Sequence, residues 1–482
     1  MSADAIVVGG GVNGLVAATY LARAGRKVIL LEAKDTLGGA CLTVPFATGF
    51  KGPALAHTLT ALDPRVMSEL KLARRGLKFA VRDMAQVSLR ADGKHLAIGR
   101  DVRSTARAIA AHSRTDAEMW PRFRRELFDL ARAMRPFWWD ETKHEWPREI
   151  ARLRHQGLAA WLDSRFESDA LKAALAGDAR ELSPLVPGSS LLLVWRAAQE
   201  MSGLQGAAAI PLGGPGALVD ALTSAAKIAG VELRTGSRVA DILVKDGAAS
   251  GVVLDSGDEI AAKLVLASFS RRQLLATPAG RATFGFAQAA DLERSVPAVA
   301  SAKLLLALNA PPAFGSGVPL RGRFVLADRV ETFVTAHAAS RAGRMPDDVA
   351  LDVVVPTAAD PALAPLGQHV VSIRIAPLPR HLTGGWDAAK LAAKSIAALD
   401  RCAPGLARHV TGAQVLTPDD IAARYGEEDG ASVERVLSDW RTRLLTPIRG
   451  LYLCGVASEP VAAISGRAGR IAAALALREA AK

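Results

Sequence analysis

Glycine stands at positions 9, 11 and 14 in the spacing G-x-G-x-x-G, and an acid, Glu32, follows about twenty residues on. These residue types at this spacing hold a dinucleotide. Gly9 permits a tight turn, Gly11 lets backbone approach a pyrophosphate, Gly14 lets a helix pack close to a strand, and the acid accepts ribose hydroxyls. A second glycine pair follows in Leu37-Gly38-Gly39-Ala40. That second close approach of backbone suits a bulky flavin dinucleotide and has no obvious use with NAD, so FAD is the expected cofactor. The chemistry would then be hydride transfer, carried by the cofactor and positioned by the chain. In a flavin fold the segment 46–63 would lie near the ring, which makes its His57 a candidate catalytic residue, although a lone histidine is more often structural.

Positioning these groups takes a strand, a turn, a helix and another strand. Ala5–Val8 is a short apolar run of the buried parallel type, 15–24 is helical and stops at Gly25, and Val28–Leu31 delivers Glu32. The free N–H groups of that helix would face the phosphates. Segment 46–63 reads as a loop with a short helix, and 86–96 as a hairpin around Asp92-Gly93. Gly213-Gly214-Pro215-Gly216 reads as a tight entry to a helix over 217–229 rather than a second phosphate loop, because no strand is apparent before it. Segment 231–234 adds a strand to the nucleotide sheet, 239–244 and 251–254 form a small antiparallel layer, and 263–267 returns to the sheet. Strong strand signals at 300–308, 349–355 and 370–375 predict an antiparallel sheet in a second domain, followed by a helix over 388–399. The chain ends on a strand and glycine turn at 450–455 and a helix over 469–481.

A chain of 482 residues exceeds a single core, so two or three domains are expected. Its net charge of +12 suits an acidic surface, and the absence of basic runs interleaved with aromatics favours lipid over nucleic acid. A surface that is merely cationic fits equally well. Five of the eight tryptophans (120, 138, 139, 146 and 161) fall in the arginine-rich helical stretch 101–166. A cap with a tryptophan core is the first expectation there, and contact with a lipid interface the second. Cys41, Cys402 and Cys454 are odd in number and form no C-x-x-C, which argues against disulfides and dithiol chemistry. No metal site is expected. Met1 leads almost directly into the first strand and no apolar run reaches the length of a membrane span, so a cytoplasmic protein is expected, at most peripheral to a membrane.

The chain resembles the phytoene desaturase-like FAD oxidoreductases, and within them the group of pyridine nucleotide-disulfide oxidoreductase domain-containing protein 2. The resemblance rests on the Gly9 to Gly14 loop with Glu32, Leu37-Gly38-Gly39-Ala40, Gly213-Gly214-Pro215-Gly216, and Ala359-Asp360-Pro361 through Pro365 with His369-Val370-Val371-Ser372. It continues through Gly450-Leu451-Tyr452-Leu453-Cys454-Gly455 and Ser465-Gly466-Arg467-Ala468-Gly469-Arg470. It implies an α/β fold: a discontinuous, glutathione reductase-like Rossmann FAD domain (1–80, 206–280, 426–482) with an inserted α+β substrate domain and helical cap (81–205, 281–425). It also implies Gly9, Gly11 and Gly14 at the pyrophosphate, Glu32 and Ala33 at the adenosine ribose, Gly38, Gly39 and Ala40 beside the dinucleotide, and Val239 at the adenine. Gly455 with Ile464, Ser465 and Gly466 would sit by the ribityl chain and flavin.

Two departures from the family pattern stand out. Where relatives carry a histidine, a proline and glycines after the Gly455 position, this chain has Glu459-Pro460-Val461-Ala462-Ala463. Upstream, Glu434 of Gly430-Ala431-Ser432-Val433-Glu434 takes another histidine position. Either glutamate could act as a general base or as counter-ion to a cationic substrate; the plainer expectation pairs them with Arg435 or Arg467 at the surface. The implied activity is removal of hydrogen from a lipophilic small molecule, such as an isoprenoid or polyene, by hydride transfer to flavin N5. An amine or amino-acid-like substrate stays open, as does a flavin-binding scaffold without turnover, because the 461–463 turn could crowd the ring.

Overall fold

Strand Ala5–Val8 lies at the middle of a five-stranded parallel sheet in the computed structural model, which describes residues 2–140, 142, 143, 145–284, 298–315, 317–426 and 431–480. The order across the sheet is Glu232–Arg234, Val28–Leu31, Ala5–Val8, Leu264–Ala267 and Leu451–Leu453. Parallel strands need both faces covered, and the alternation of side chains divides the work. Val7, Leu30 and Leu266 pack against helices Val12–Arg23, Gly216–Ile228 and Arg467–Ala480. Ile6, Ile29 and Val265 pack on the opposite face against the antiparallel layer Val239–Lys245, Ala248–Leu254 and Glu259–Ala261. This is the α/β, Rossmann-type arrangement expected from the opening motif. Ala481, at the end of the expected last helix, and residues 285–297 of the expected substrate domain lie outside the described residues.

A second sheet of seven strands runs Val410–Leu416, Val299–Leu308, His369–Pro379, Leu351–Val354, Arg323–Leu326, Gln86–Leu89 and Leu96–Ile98. All its neighbours are antiparallel except Arg323–Leu326 with Gln86–Leu89. On one face Leu304, Leu306, Phe324, Val353, Ile373 and Ile375 make an apolar core with helix Ala388–Asp400. On the other face, register places Lys303, Arg374 and Asp352 side by side, with Ser372 and Arg323 in the next row. Polar residues on a buried sheet face demand partners or a ligand.

Helices Val102–Ala110, Arg114–Trp139, Leu158–Asp163, Asp169–Ala176 and Ser190–Ala198 form the cap. Trp120, Trp138 and Trp161 are buried in it, so these tryptophans are packing residues. Trp138 Nε1 donates to the Val436 carbonyl at 2.9 Å, and Trp440 Nε1 to the Trp138 carbonyl at 3.1 Å, tying the cap to the carboxy-terminal segment. Among the described residues no helix is long and apolar enough to cross a membrane.

The structure departs from sequence expectation at several points. A hairpin, Thr43–Ala47 with Phe50–Pro53, occupies part of the expected loop, its strand signal hidden by Pro45, Gly49, Gly52 and Pro53. A two-residue strand, Ile210–Pro211, does precede the Gly213 turn, paired with Phe79–Val81 and too short to leave a pattern. Strands Arg323–Leu326 and Val410–Leu416 were not anticipated, the first because it spans four residues and the second because Gly412 interrupts it.

One buried ionic clamp joins distant parts of the chain. Asp63 caps helix Pro64–Glu69 by accepting from the Arg65 N–H at 2.8 Å, and it meets Arg470 Nε at 3.1 Å and Arg467 Nε at 3.4 Å. Burial alone would raise the Asp63 carboxyl, but the two guanidiniums outweigh it and hold the group below its ordinary 3.8. Its stabilising effect is therefore present above that value and is lost as pH falls through the folded one. Asp63→Asn keeps a capping oxygen but removes the carboxylate that faces two buried guanidiniums, and should lower unfolding free energy at pH 7 by about 3–5 kcal/mol. In urea titrations the gap from wild type should narrow below pH 4; equal stability of the two proteins at pH 7 would show that the clamp contributes nothing net.

Candidate functional site

At the carboxyl ends of the parallel strands the backbone forms a cradle. Gly9 adopts φ +96°, and a Cβ there would strike the Ser268 hydroxyl. A Cβ on Gly14 would collide with the Gly9 carbonyl, so only glycine lets the helix Val12–Arg23 start this close to its strand. At Gly11 a Cβ would meet no protein atom within 4 Å, because this position faces the open cleft. The second glycine pair backs onto the first: Gly38 N–H donates to the Gly10 carbonyl at 2.8 Å. Glu32 accepts from the Gly10 N–H at 2.6 Å and the Lys34 N–H at 2.9 Å, which fixes its carboxylate at the cleft edge with lone pairs to spare.

The opposite wall of this cleft comes from the other end of the chain. Gly455, Val456, Ala463, Ile464 and Ser465 line it together with Gly9, Gly11, Gly14, Gly38, Gly39 and Ala40. Gly455 packs where a Cβ would collide with the Ser268 carbonyl, and Gly469 does the same against the Asn13 carbonyl. Arg424 and Tyr425, at the end of helix Pro418–Tyr425, close the rim; Lys34 Nζ donates to the Arg424 carbonyl and stands 4.7 Å from the centre of the Tyr425 ring.

A cavity of about 180 Å³ adjoins this cleft, and Ala40, Val456, Ala463 and Ile464 border both. Its lining includes the apolar residues Leu55, Leu192, Trp195, Val461 and Ala462 together with charged residues, several of them from the buried polar face of the seven-stranded sheet. Asp352 accepts from Arg323 Nε and Nη2 at 2.9 and 3.0 Å, and Arg323 Nη1 also reaches Asp178. His57 Nε2 stands 3.7 Å from Asp352 Oδ2, and its Nδ1 lies 3.2 Å from Ser372 Oγ, which accepts a bond from Lys303 Nζ at 2.5 Å. Burial, reinforced by Lys303, pushes the His57 imidazolium down to about 4, and burial pushes the Lys303 ammonium down to about 7. Asp352 stays ionised: burial opposes this, but Arg180 and Arg323 overwhelm it.

The sequence-derived candidates separate on this geometry. His57 lines the cavity. Glu434 is exposed on helix Val433–Leu437, and Gly430, which opens its run, lies outside the described residues. Glu459 is not at the surface: it is fully buried and accepts from Ser465 Oγ and from the Ala468 N–H at 2.9 Å, holding the turn that starts the last helix. Neither glutamate lines the cavity. Gly466, at φ +71°, lies behind that turn against Val16 and Val66. Ala33 and Val239 do not line the cleft, although Ser237, two residues before Val239, donates its N–H to the Glu32 carbonyl at 2.8 Å. Sequence reasoning missed Asp352, Arg180, Arg323 and Lys303. A charged residue inside an apolar strand was the available signal, visible in Leu351–Val354 and Val299–Leu308.

Residues 13–346 match the model of the family described as flavin containing amine oxidoreductase. Pyridine nucleotide-disulfide oxidoreductase domain-containing protein 2 of Rattus norvegicus is 30% identical, over 99% of this chain and 93% of that protein. Phytoene dehydrogenase of Streptomyces griseus is 28% identical, over 79% and 73%. Among solved structures, an oxidoreductase from Methanosarcina mazei superposes with a TM-score of 0.66 at 20% identity over the full length of both chains. FAD fits the cradle on the chain's own terms: the open face at Gly11, the fixed Glu32 carboxylate, and a cleft wall shared with the cavity. Gly11→Ala should therefore leave the unfolding midpoint of FAD-stripped protein unchanged while weakening FAD binding at least tenfold in a fluorescence titration. Unaltered FAD affinity would exclude this cleft as the cofactor site.

Proposed function

This chain belongs to the flavin containing amine oxidoreductase family, and on that premise we propose that it is an FAD-dependent dehydrogenase whose substrate binds in the cavity bordered by Ala40, Val456, Ala463 and Ile464. The observation that carries this reading is the shared border, by which a dinucleotide lying in the cleft would have the cavity beside it. When bound, FAD supplies the hydride acceptor. The chain supplies position and proton management. Leu55, Leu192, Trp195 and Val461 offer apolar surface in the cavity, which favours a substrate with a lipophilic body. The 461–463 turn borders the cavity without filling it, so turnover is favoured over a scaffold role.

A proton released beside His57 has a path to a base. From His57 Nδ1 it runs through Ser372 Oγ to Lys303 Nζ, whose amine is half neutral near pH 7. Asp352, beside His57 Nε2, steadies positive charge on the imidazole as the proton passes. Glu434 and Glu459 have no part in this path.

Purified protein should carry FAD, and flavin reduced with dithionite should be reoxidised by oxygen or a quinone. With a substrate that reduces the flavin, the rate of flavin reduction should rise with pH through about 7, because neutral Lys303 is the form that takes the proton, and Lys303→Met should flatten that rise. A flavin that stays reduced with every acceptor would count against the dehydrogenase, and an unchanged profile in Lys303→Met would remove the proton path.

A further inference from the structure

The charged side of the cavity holds more hydrogen-bond donors than acceptors. Its three carboxylates are engaged: Asp352 by both nitrogens of the Arg323 fork, Asp178 by Arg323 Nη1, and Glu181 by Arg374 Nη1 at 3.1 Å. The guanidiniums are not saturated. Arg180 is 2% exposed and donates Nε to the Gly177 carbonyl at 2.7 Å. Its Nη2 stands 3.0 Å from Asp352 Oδ2, yet neither Nη1 nor Nη2 makes a hydrogen bond among the described residues. Arg196 Nη1, on the same wall, is buried in the same condition. A buried donor without an acceptor bears the full cost of lost hydration, and natural sites rarely keep one without a use.

We propose that the substrate carries a carboxylate, received by Arg180 Nη1, the one nitrogen of that guanidinium with neither a hydrogen bond nor an ion pair among the described residues, while its apolar body lies against Val461 and Ile464. The proposal rests on the reading of this cavity as the substrate site. Four arginines face three carboxylates in the lining, a surplus of one positive charge that a singly charged anion neutralises. An ammonium substrate would meet carboxylates already occupied and guanidiniums that repel it. A carboxylate oxygen offers Nη1 a charge-assisted hydrogen bond, stronger than the one a neutral amide or hydroxyl would make.

Three probes of one shape decide the matter: phenylacetate, phenylacetamide and phenethylamine, titrated into the FAD-loaded protein while the flavin spectrum and the tryptophan fluorescence are followed. Phenylacetate should perturb the flavin bands and bind at least tenfold tighter than the other two. Arg180→Lys, which keeps a buried charge, should retain FAD and part of that preference; Arg180→Met should retain FAD and lose it. Equal binding of the three probes, each perturbing the flavin, would overturn the carboxylate site and leave the cavity as the substrate site. Binding seen in tryptophan fluorescence with no change at the flavin would overturn both, as would failure of all three to bind. Because the preference is read first on the unmodified protein, a variant that does not fold leaves the test intact.

Discussion

The structure depends on the contact between its two ends, made backbone to backbone where glycine alone fits. The helix that begins the chain and the helix that ends it meet at Gly469, against the carbonyl of Asn13, and the last strand turns at Gly455 against the carbonyl of Ser268. These approaches bring the carboxy-terminal turn over the opening glycine loop. The buried Asp63 clamp, reaching Arg467 and Arg470, locks the same junction from the side. The second sheet, the cap and their connections are built between residues 64 and 450, around the sheet strands Glu232–Arg234 and Leu264–Ala267 that the closure itself uses. They bring the cavity to the place where the ends meet.

From this closure follows a division of labour within the site. The cleft half is backbone and glycine, which suits a ligand held by close approach and by N–H groups. The cavity half is side chain. There the sheet gives one face to an ordinary apolar core and the other to a row of ionisable groups. Burying so many charges is tolerable only because each carboxylate is matched, and Asp352 does most of the matching by engaging Arg323, Arg180 and His57 together. The same matching leaves donors over, Arg180 Nη1 and Arg196 Nη1 among them.

Much of the cradle was legible in the sequence because local spacing and local sterics coincide there. Gly9, Gly11, Gly14 and Glu32 sit within one strand-helix-strand unit, where the sequence interval fixes the spatial one. Gly455, Ile464 and Ser465 were legible through family resemblance, since no spacing rule places them opposite the loop. The cavity was not legible. Lys303, Arg323, Asp352 and Ser372 come from four strands whose register only the folded sheet defines, and each reads by itself as an oddity in an apolar run. Glu459 shows another gap: a departure from the family pattern singled it out as a base or an arginine partner at the surface, but its burial and its bonds to Ser465 and Ala468 at the turn were not readable from the sequence. Strand Ile210–Pro211 was missed because two residues carry no periodicity.

The account stands or falls on one molecule spanning both halves of the site. A crystal structure of the FAD-loaded protein measures this directly. The account predicts pyrophosphate density against Gly11 and the isoalloxazine ring at the junction of Ala40, Val456, Ala463 and Ile464, with one face open to the cavity. A ring placed elsewhere, or FAD bound without contact to the carboxy-terminal turn, would contradict it.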